Sequence, residues 1–267
     1  MERLITPQFR ITSFIISFDR VFDANYFFEG ESHNYIEMVY CDSGTFEVTR
    51  DEKICPLNEG DLLFHAPMEF HCNRTDPHVT PRVVQLSFRH EGEMPASLHE
   101  GVFPLNADEK ETFFRIFRMA DRYITDDATD LLLGQEAAEA LSGFILALCR
   151  KKRTETRLSN TTGALAYQKV IRTMHEDVWY NFTLEDFAKK TYLSVSYIKS
   201  LFKRYAGVSP KTYYNAIRMN EAARMLSSGM SVIQVAERLN CSSPNYLTAL
   251  FKKHFGVTPS QYKKQGV

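Results

Sequence analysis

Between Ile11 and about Phe88 the apolar residues come in short β-branched and aromatic runs. Tyr35–Tyr40, Thr45–Thr49, Asp61–His65 and Val83–Phe88 are such runs, with Asp42-Ser-Gly44 and Asn58-Glu-Gly60 as turns between them. Many short strands at this spacing predict an antiparallel barrel or jelly roll. From about residue 108 to 153 the period becomes helical. Phe113, Phe114, Phe117, Ala120 and Tyr123 form one stripe, and Leu132, Ala138, Leu141, Ile145 and Leu148 form part of a second, ending in Arg150-Lys-Lys-Arg153. The segment Leu131 to Cys149 is apolar over much of its surface, so it has a face to spare for a second subunit. Residues 154–164 are small and polar and read as a linker. Beyond them the pattern is helical throughout, beginning with Leu165 to His175 with Tyr167, Val170, Ile171 and Met174 inward.

Within this helical part a stretch occurs twice. Ser194 to Tyr213 and Ser243 to Tyr262 align at a constant offset of 49 positions, sharing Ser, Tyr, Leu-Phe-Lys, Gly-Val, Pro and Tyr. In each copy the apolar residues keep helical spacing: Ile198, Leu201, Phe202 and Tyr205, then Leu247, Leu250, Phe251 and Phe255. Ser194 and Ser243 stand at N-cap positions, and Gly207 and Gly256 at C-terminal stops. A short amphipathic segment precedes each copy, Thr183 to Lys190 and Ser231 to Leu239. Helix, tight turn and capped second helix predict a helix-turn-helix unit, present twice. The outward face of each second helix is small, polar and cationic, which suits a DNA groove. Between the units, Pro210 to Ser227 reads as a long connecting helix that sets their separation.

Charge divides the chain in the same place. Residues 165–267 hold 15 Lys and Arg against 6 Asp and Glu, while residues 1–164 hold 17 against 27. A basic C-terminal part joined to an acidic N-terminal one fits nucleic acid at one end only. Five widely spaced cysteines without a Cys-x-x-Cys pair fit reduced thiols, with neither a disulfide framework nor a structural zinc site. Phe14-Ile-Ile-Ser-Phe18 is too short for a signal peptide core, and no run is expected to reach membrane-spanning length. A soluble, cytoplasmic protein follows as an expectation.

Residues from about 165 to 267 resemble the DNA-binding domain of the AraC/XylS family of bacterial transcription regulators. The likeness is carried by Leu184, Ala188, Ser194, Leu201-Phe-Lys203, Gly207-x-Ser-Pro210, Arg218-x-x-x-Ala222, Leu226, Ile233, Ala236, Tyr246, Phe251-Lys-Lys253, Gly256-x-Thr-Pro259 and Tyr262. The second turn is one residue longer than the first, as in the family. Asn240-Cys241 departs from the family's Gly-Phe, and Asn preserves the left-handed turn. The N-terminal part resembles, more loosely, the cupin-like sensor domain of the same family, through Glu31, His33, Glu37, Gly44, Gly60 and His71. Glu31 stands where the first cupin His would be. The resemblance implies an α+β protein of two domains: residues 1–107 a cupin-like effector-binding barrel, 108–153 a helical dimerisation region, 154–164 a linker and 165–267 a DNA-binding domain.

The expected role is that of a sequence-specific, effector-responsive transcription activator, working as a homodimer on double-stranded promoter DNA and meeting RNA polymerase. Base contacts are expected from Ser196, Lys199, Ser200, Asn245, Thr248 and Ala249. Phosphate contacts are expected from Lys203, Arg204, Lys252 and Lys253, aided by helix N-terminal amides near Thr183 and Ser231. Residues 31, 33, 35 and 37 share one face of a strand by period-two alternation, and His71 is expected to meet them inside the barrel. His33, Tyr35, Glu37, Phe64 and His71 are therefore the expected effector-binding residues of a small-molecule pocket. No cofactor or catalytic residue is expected, although His33, Glu37 and His71 are residues a transition metal accepts. Two alternatives stay open: a cupin-type metalloenzyme with a helical appendage, and a regulator whose barrel serves only dimerisation.

Overall fold

The alternating runs become nine strands among the described residues of the computed structural model, which are 7–125, 130–151 and 159–264. These are β1 (Phe9–Val21), β2 (Phe27–Glu31), β3 (Ile36–Ser43), β4 (Thr45–Arg50), β5 (Lys53–Asn58), β6 (Asp61–His65), β7 (His71–Thr75), β8 (Arg82–Gly92) and β9 (Val102–Pro104). They form two antiparallel sheets, ordered β1-β8-β3-β6-β9 and β2-β7-β4-β5. The expected closed barrel is thus corrected to two open sheets. Each of β1, β9, β2 and β5 has one ladder neighbour, so the sheets meet through side chains and not through a continuous hydrogen-bond ladder.

Strand β3 shows how the layers stack. Its residues Ile36 to Cys41 are all buried, because both faces of its sheet are covered. Val39 and Cys41 join Phe46, Val48, Cys55 and Leu57 of the facing sheet. Ile36, Met38 and Tyr40 turn the other way, toward helices α1 (Ala107–Thr125) and α2 (Leu131–Cys149). Buried Ala137, Leu141, Phe144, Ile145 and Leu148 fix α2 in that outer layer. Its 19 residues, with a mean hydropathy of 1.4, are long and apolar enough to cross a membrane by length and composition. That corrects the expectation that no run reaches such length. Gly134, Gln135, Glu136 and Glu139 interrupt the apolar run in sequence but lie on one helix. Leu131 and Leu132 remain 72% and 78% exposed.

The C-terminal part is helical: α3 (Thr162–Glu176), α4 (Leu184–Thr191), α5 (Val195–Tyr205), α6 (Pro210–Ser227), α7 (Val232–Arg238), α8 (Pro244–Phe255) and α9 (Pro259–Lys264). Helix α3 begins three residues before the expected Leu165, because the Thr161 hydroxyl accepts from Ala164 N–H and extends the helix upstream. The expected linker therefore ends earlier, and its residues 154–158 lie outside the described residues. Two cores form around α6. Tyr213, Tyr214 and Ile217 of its first half pack with α3, α4 and α5, while Met219, Ala222, Ala223, Met225 and Leu226 of its second half pack with α7, α8 and α9. One continuous helix thereby serves both helix-turn-helix units. At ~1.5 Å per residue it is a rigid spacer of roughly 27 Å.

The outer face of the β2-β7-β4-β5 sheet rests on this helical domain. Ile54 and Phe70 belong to the same core as α3 and α5, with the Phe70 and Tyr213 rings 4.3 Å apart. The molecule is layered as helices, sheet, sheet and helical domain.

Candidate nucleic-acid interface and sensor cluster

Each helix-turn-helix unit opens with a capping box. Thr183 and Asp186 satisfy each other's backbone at the start of α4, and Ser231 and Gln234 do so at the start of α7. The backbone N–H groups of Thr183 and Ser231, expected to aid phosphate binding, are already engaged by these side chains. Each turn is made by a non-glycine residue in the left-handed region, Tyr192 at φ 58° and Asn240 at φ 50°. Asn240 thus adopts the conformation read from its identity, and Cys241 N–H closes the turn on Ala236 O at 2.8 Å. Ser194 and Ser243 cap α5 and α8 by accepting from Tyr197 N–H and Tyr246 N–H.

Ser196, Lys199, Ser200, Lys203 and Arg204 are exposed on α5, as are Asn245, Ala249, Lys252 and Lys253 on α8, with Thr248 half-buried. The fold therefore brings the expected base- and cation-bearing positions onto open helix faces, opposite Ile198, Leu201 and Phe202 or Leu247 and Phe251 in the cores. Two hydroxyls already donate within their own helices, Ser200 to Tyr197 O and Thr248 to Pro244 O, which leaves their oxygens as acceptors. Behind this surface Arg218 of α6 is 1% exposed. Its guanidinium donates to Leu239 O at the second turn and to Asn181 Oδ1 at 3.5 Å. In the sequence Arg218 stands out only as part of the family resemblance, and its long-range partner at Leu239 is visible only in the fold.

In the N-terminal domain, Glu31, His33, Glu37 and His71 place one ligand-type atom each within 4.8 Å of one another. They meet by a route other than the continuous strand expected for residues 31–37. The stretch is broken: β2 stops at Glu31, β3 starts at Ile36, and a register shift in β2 between Phe28 and Glu31 sets the exposed Glu31 opposite His71. Tyr35 lies beside them, its ring stacked on His33 at 3.7 Å, and burial pushes its hydroxyl up to about 12. Phe64 is not part of the cluster. Period two puts Phe64 on the helix-facing side of β6, against Phe103 at 5.9 Å, and His65 on the inner side against His71 at 4.0 Å. Sequence reading missed His65 and Glu69. His65 Nδ1 lies 3.2 Å from Glu69 Oε2, and Arg50 Nε donates to Glu69 Oε1 at 2.9 Å. Burial opposes ionisation of Glu69, but the His65 hydrogen bond and the Arg50 charge hold its carboxyl down at about 2. Burial, reinforced by His65, lowers His71 to about 3 and so keeps its ring neutral.

Between the domains, a groove of about 620 Å³ is lined by Asp51, Met68, Phe70, Trp179, Tyr213 and Asn220 among others. Burial, with the neighbouring Glu69 charge, raises the Asp51 carboxyl to about 7. The folded state then holds this proton more tightly than the unfolded chain does. The group's contribution to stability is present below the ordinary carboxyl range and is withdrawn as pH rises toward about 7. Asp51→Asn keeps the oxygen that accepts from Phe70 N–H and tolerates the left-handed φ of 44°. It is expected to raise the midpoint of thermal unfolding at pH 8 and leave it unchanged at pH 4; equal shifts at both would remove the carboxyl's titration as the cause.

Two helix-turn-helix units with open cationic recognition helices, carried on a separate β-sheet domain, define a DNA-binding transcription regulator. The family described as a helix-turn-helix domain matches residues 187–265, from α4 to the end of α9. Over these residues the C-terminal part is an AraC-type helix-turn-helix domain. The chain is 24% identical over 218 residues to the uncharacterised HTH-type transcriptional regulator YbfI of Bacillus subtilis (strain 168), spanning 78% of this chain and 77% of that protein. It is 35% identical over 74 residues to the uncharacterised HTH-type transcriptional regulator YidL of Escherichia coli (strain K12), spanning 27% of this chain and 25% of that protein. Among solved structures, ToxT of Vibrio cholerae O395 bound to (E)-4-(8-methylnaphthalen-1-yl)but-3-enoic acid aligns over 98% of this chain and all of that one, at 14% identity and TM-score 0.42.

Proposed function

We propose that the chain is an effector-responsive activator that reads two adjacent major-groove segments of promoter DNA with α5 and α8. The observation that carries this is the pair of open polar faces on helices held to one rigid spacer, α6. Lys199 donates to a guanine edge, Asn245 pairs with adenine, and Ala249 meets a thymine methyl. Ser196, Ser200 and Thr248 make shorter or water-mediated contacts. Lys203, Arg204, Lys252 and Lys253 hold phosphates, and the helix starts at Thr183 and Ser231 lie nearest the backbone. Two units on one DNA face need recognition helices about 34 Å apart, one helical turn.

The effector enters at His33, Tyr35, Glu37 and His71, where polar groups converge at the edge of the sandwich. Its binding alters contact with promoter DNA or with RNA polymerase. The regulator works in the cytoplasm as a homodimer, and the exposed Leu131, Leu132 and Leu146 of α2 support a surface for the second copy. This reading assigns the chain no catalysis.

Selection from a random DNA library with the full chain is expected to return a two-box motif with centres about one helical turn apart. On that motif Lys199→Ala should weaken binding by ~1–3 kcal/mol and relax preference at one base pair. An equal loss on selected and random DNA would take base reading away from Lys199.

A further inference from the structure

The groove of about 620 Å³ between the domains takes its walls from both of them. Asp51, Met68 and Phe70 come from the β-sheet domain, and Trp179, Ile217 and Tyr262 from the helical one. A volume of this size encloses a small organic molecule, and such sites favour domain interfaces. Hydrogen bonds pin the seam around it. Asn220 of α6, which also lines the groove, donates from Nδ2 to Met68 O at 2.9 Å. Gly30 N–H donates to Ala206 O, at the end of α5, at 3.1 Å, and the Cys72 thiol donates to Tyr205 O at 2.8 Å. Ser32 Oγ lies 3.4 Å from His254 Nε2 in the last turn of α8. Strands β2 and β7 and the segment after β2 thus grip both recognition helices at their C-terminal ends. Gly30 is needed at this seam, because a Cβ there would stand 2.0 Å from the Phe70 ring.

Charge in the groove is one-sided. Asp51 keeps part of its surface open there, and its Oδ1 accepts from Phe70 N–H at 3.2 Å. Among the described residues no lysine or arginine side chain bonds this carboxylate. Arg50, its neighbour in sequence, is committed elsewhere, donating to Glu69, to Phe64 O and to His99 O. Glu52 and Glu69 add negative charge on the strand side. The groups facing Asp51 from α3 and α6 are neutral. Burial keeps the Tyr167 and Tyr213 hydroxyls protonated, and burial holds the His175 imidazole below its ordinary value. Arg224, also at the groove, is paired with Glu221 at 2.9 Å. The raised carboxyl of Asp51 is the mark of a desolvated acid that lacks a cation. Phe70, Trp179, Tyr213 and Tyr262 line the same groove, and the face of an aromatic ring attracts a cation.

We propose that this groove binds an organic cation, an ammonium group carried on an aromatic or apolar body, with its charge beside Asp51 and its body against Phe70, Trp179 and Ile217. Both domains supply the walls, so the cation binds their docked arrangement and favours it. An anion of the same shape is repelled by Asp51, Glu52 and Glu69. An uncharged molecule of that shape leaves the carboxylate without a partner. The site uses none of His33, Tyr35, Glu37 and His71, and it does not rest on the DNA-reading proposal above.

The test uses the full chain without DNA and benzyltrimethylammonium as the probe, because the charge of that cation does not titrate. Trp179 is the single tryptophan of the chain and lines the groove, so its emission reports occupancy there. A saturable change in that emission is expected, with calorimetry giving one probe per chain. Phenylacetate and benzyl alcohol should bind about tenfold more weakly or worse at pH 8. Only the ionised carboxylate attracts the probe, so affinity should fall about tenfold from pH 8 to pH 6 as Asp51 takes up its proton. A proton on His175 acts in the same direction. Asp51→Asn keeps the oxygen that accepts from Phe70 N–H. It should weaken the probe about tenfold at pH 8 and flatten the pH profile, and its thermal midpoint, measured alongside, shows that it is folded. Unchanged affinity in Asp51→Asn, or equal affinity for phenylacetate, overturns the site. So does calorimetric binding that leaves the Trp179 emission unmoved, or the absence of any saturable signal with the cation. Each of these results leaves the selection of DNA where it stands.

Discussion

Replacing Lys203, Arg204, Lys252 and Lys253 together by glutamine is expected to flatten the salt dependence of DNA binding. Each phosphate neutralised contributes about −0.9 to the slope of log K against log salt, so losing four lowers its magnitude by roughly 3–4. At 0.15 M salt the same relation corresponds to affinity weaker by roughly a thousandfold. The four side chains are exposed on α5 and α8, so their removal disturbs no core. Because phosphates carry no sequence information, selected and random DNA should lose affinity together, in contrast to Lys199→Ala. Fluorescence anisotropy between 50 and 300 mM salt measures the slope. A slope unchanged from the parent chain would mean that the cationic faces of α5 and α8 do not meet the backbone.

Arg218→Ala is expected to destabilise the DNA-binding domain by about 3 kcal/mol. Two terms add. Truncating a fully buried side chain leaves a cavity between α6 and the second turn, and Leu239 O loses the donor that satisfies it. The loss should appear as a lower denaturant midpoint at unchanged m, since the surface exposed on unfolding is nearly the same. Arg224 on the same helix supplies the comparison. Its side chain is 70% exposed and its pair with Glu221 lies at the surface, so Arg224→Ala should cost less than about 0.5 kcal/mol. Similar midpoints for the two variants would show that the buried guanidinium does not clamp the turn.

Much of the C-terminal domain is legible in the sequence because its determinants are local. Ser194, Ser243, Thr183 and Ser231 cap helices within three residues of themselves. Asn240 adopts a left-handed turn by its own conformational preference. A repeat at a fixed period then doubles every such signal. Helix α3 starts upstream of the expected Leu165 for the complementary reason: a linker-like composition at Thr161-Thr-Gly163 conceals a cap whose hydrogen bond reaches Ala164.

The sensor domain depends on contacts distant in sequence, and there local reading reaches less far. Alternation identifies strands but not how many close on one another, so an expected barrel is two open sheets. Alternation applied across residues 31–37 gathers the right polar side chains for the wrong reason, since the strand breaks and a bulge does the turning. Alternation also separates Phe64 from His65, but which of the two faces the second sheet is decided by what covers each side of β6. The sequence by itself determined the capped helices, their repeat, the charge division and the residue types of both sites, because these follow from propensity, period and ionisation within a few residues. Only the tertiary structure decided that Glu31 meets His71, that Arg218 clamps Leu239, and that the strands of the cluster grip α5 and α8. Those pairings are chosen by packing between segments from 21 to more than 200 residues apart, and no local signal encodes them.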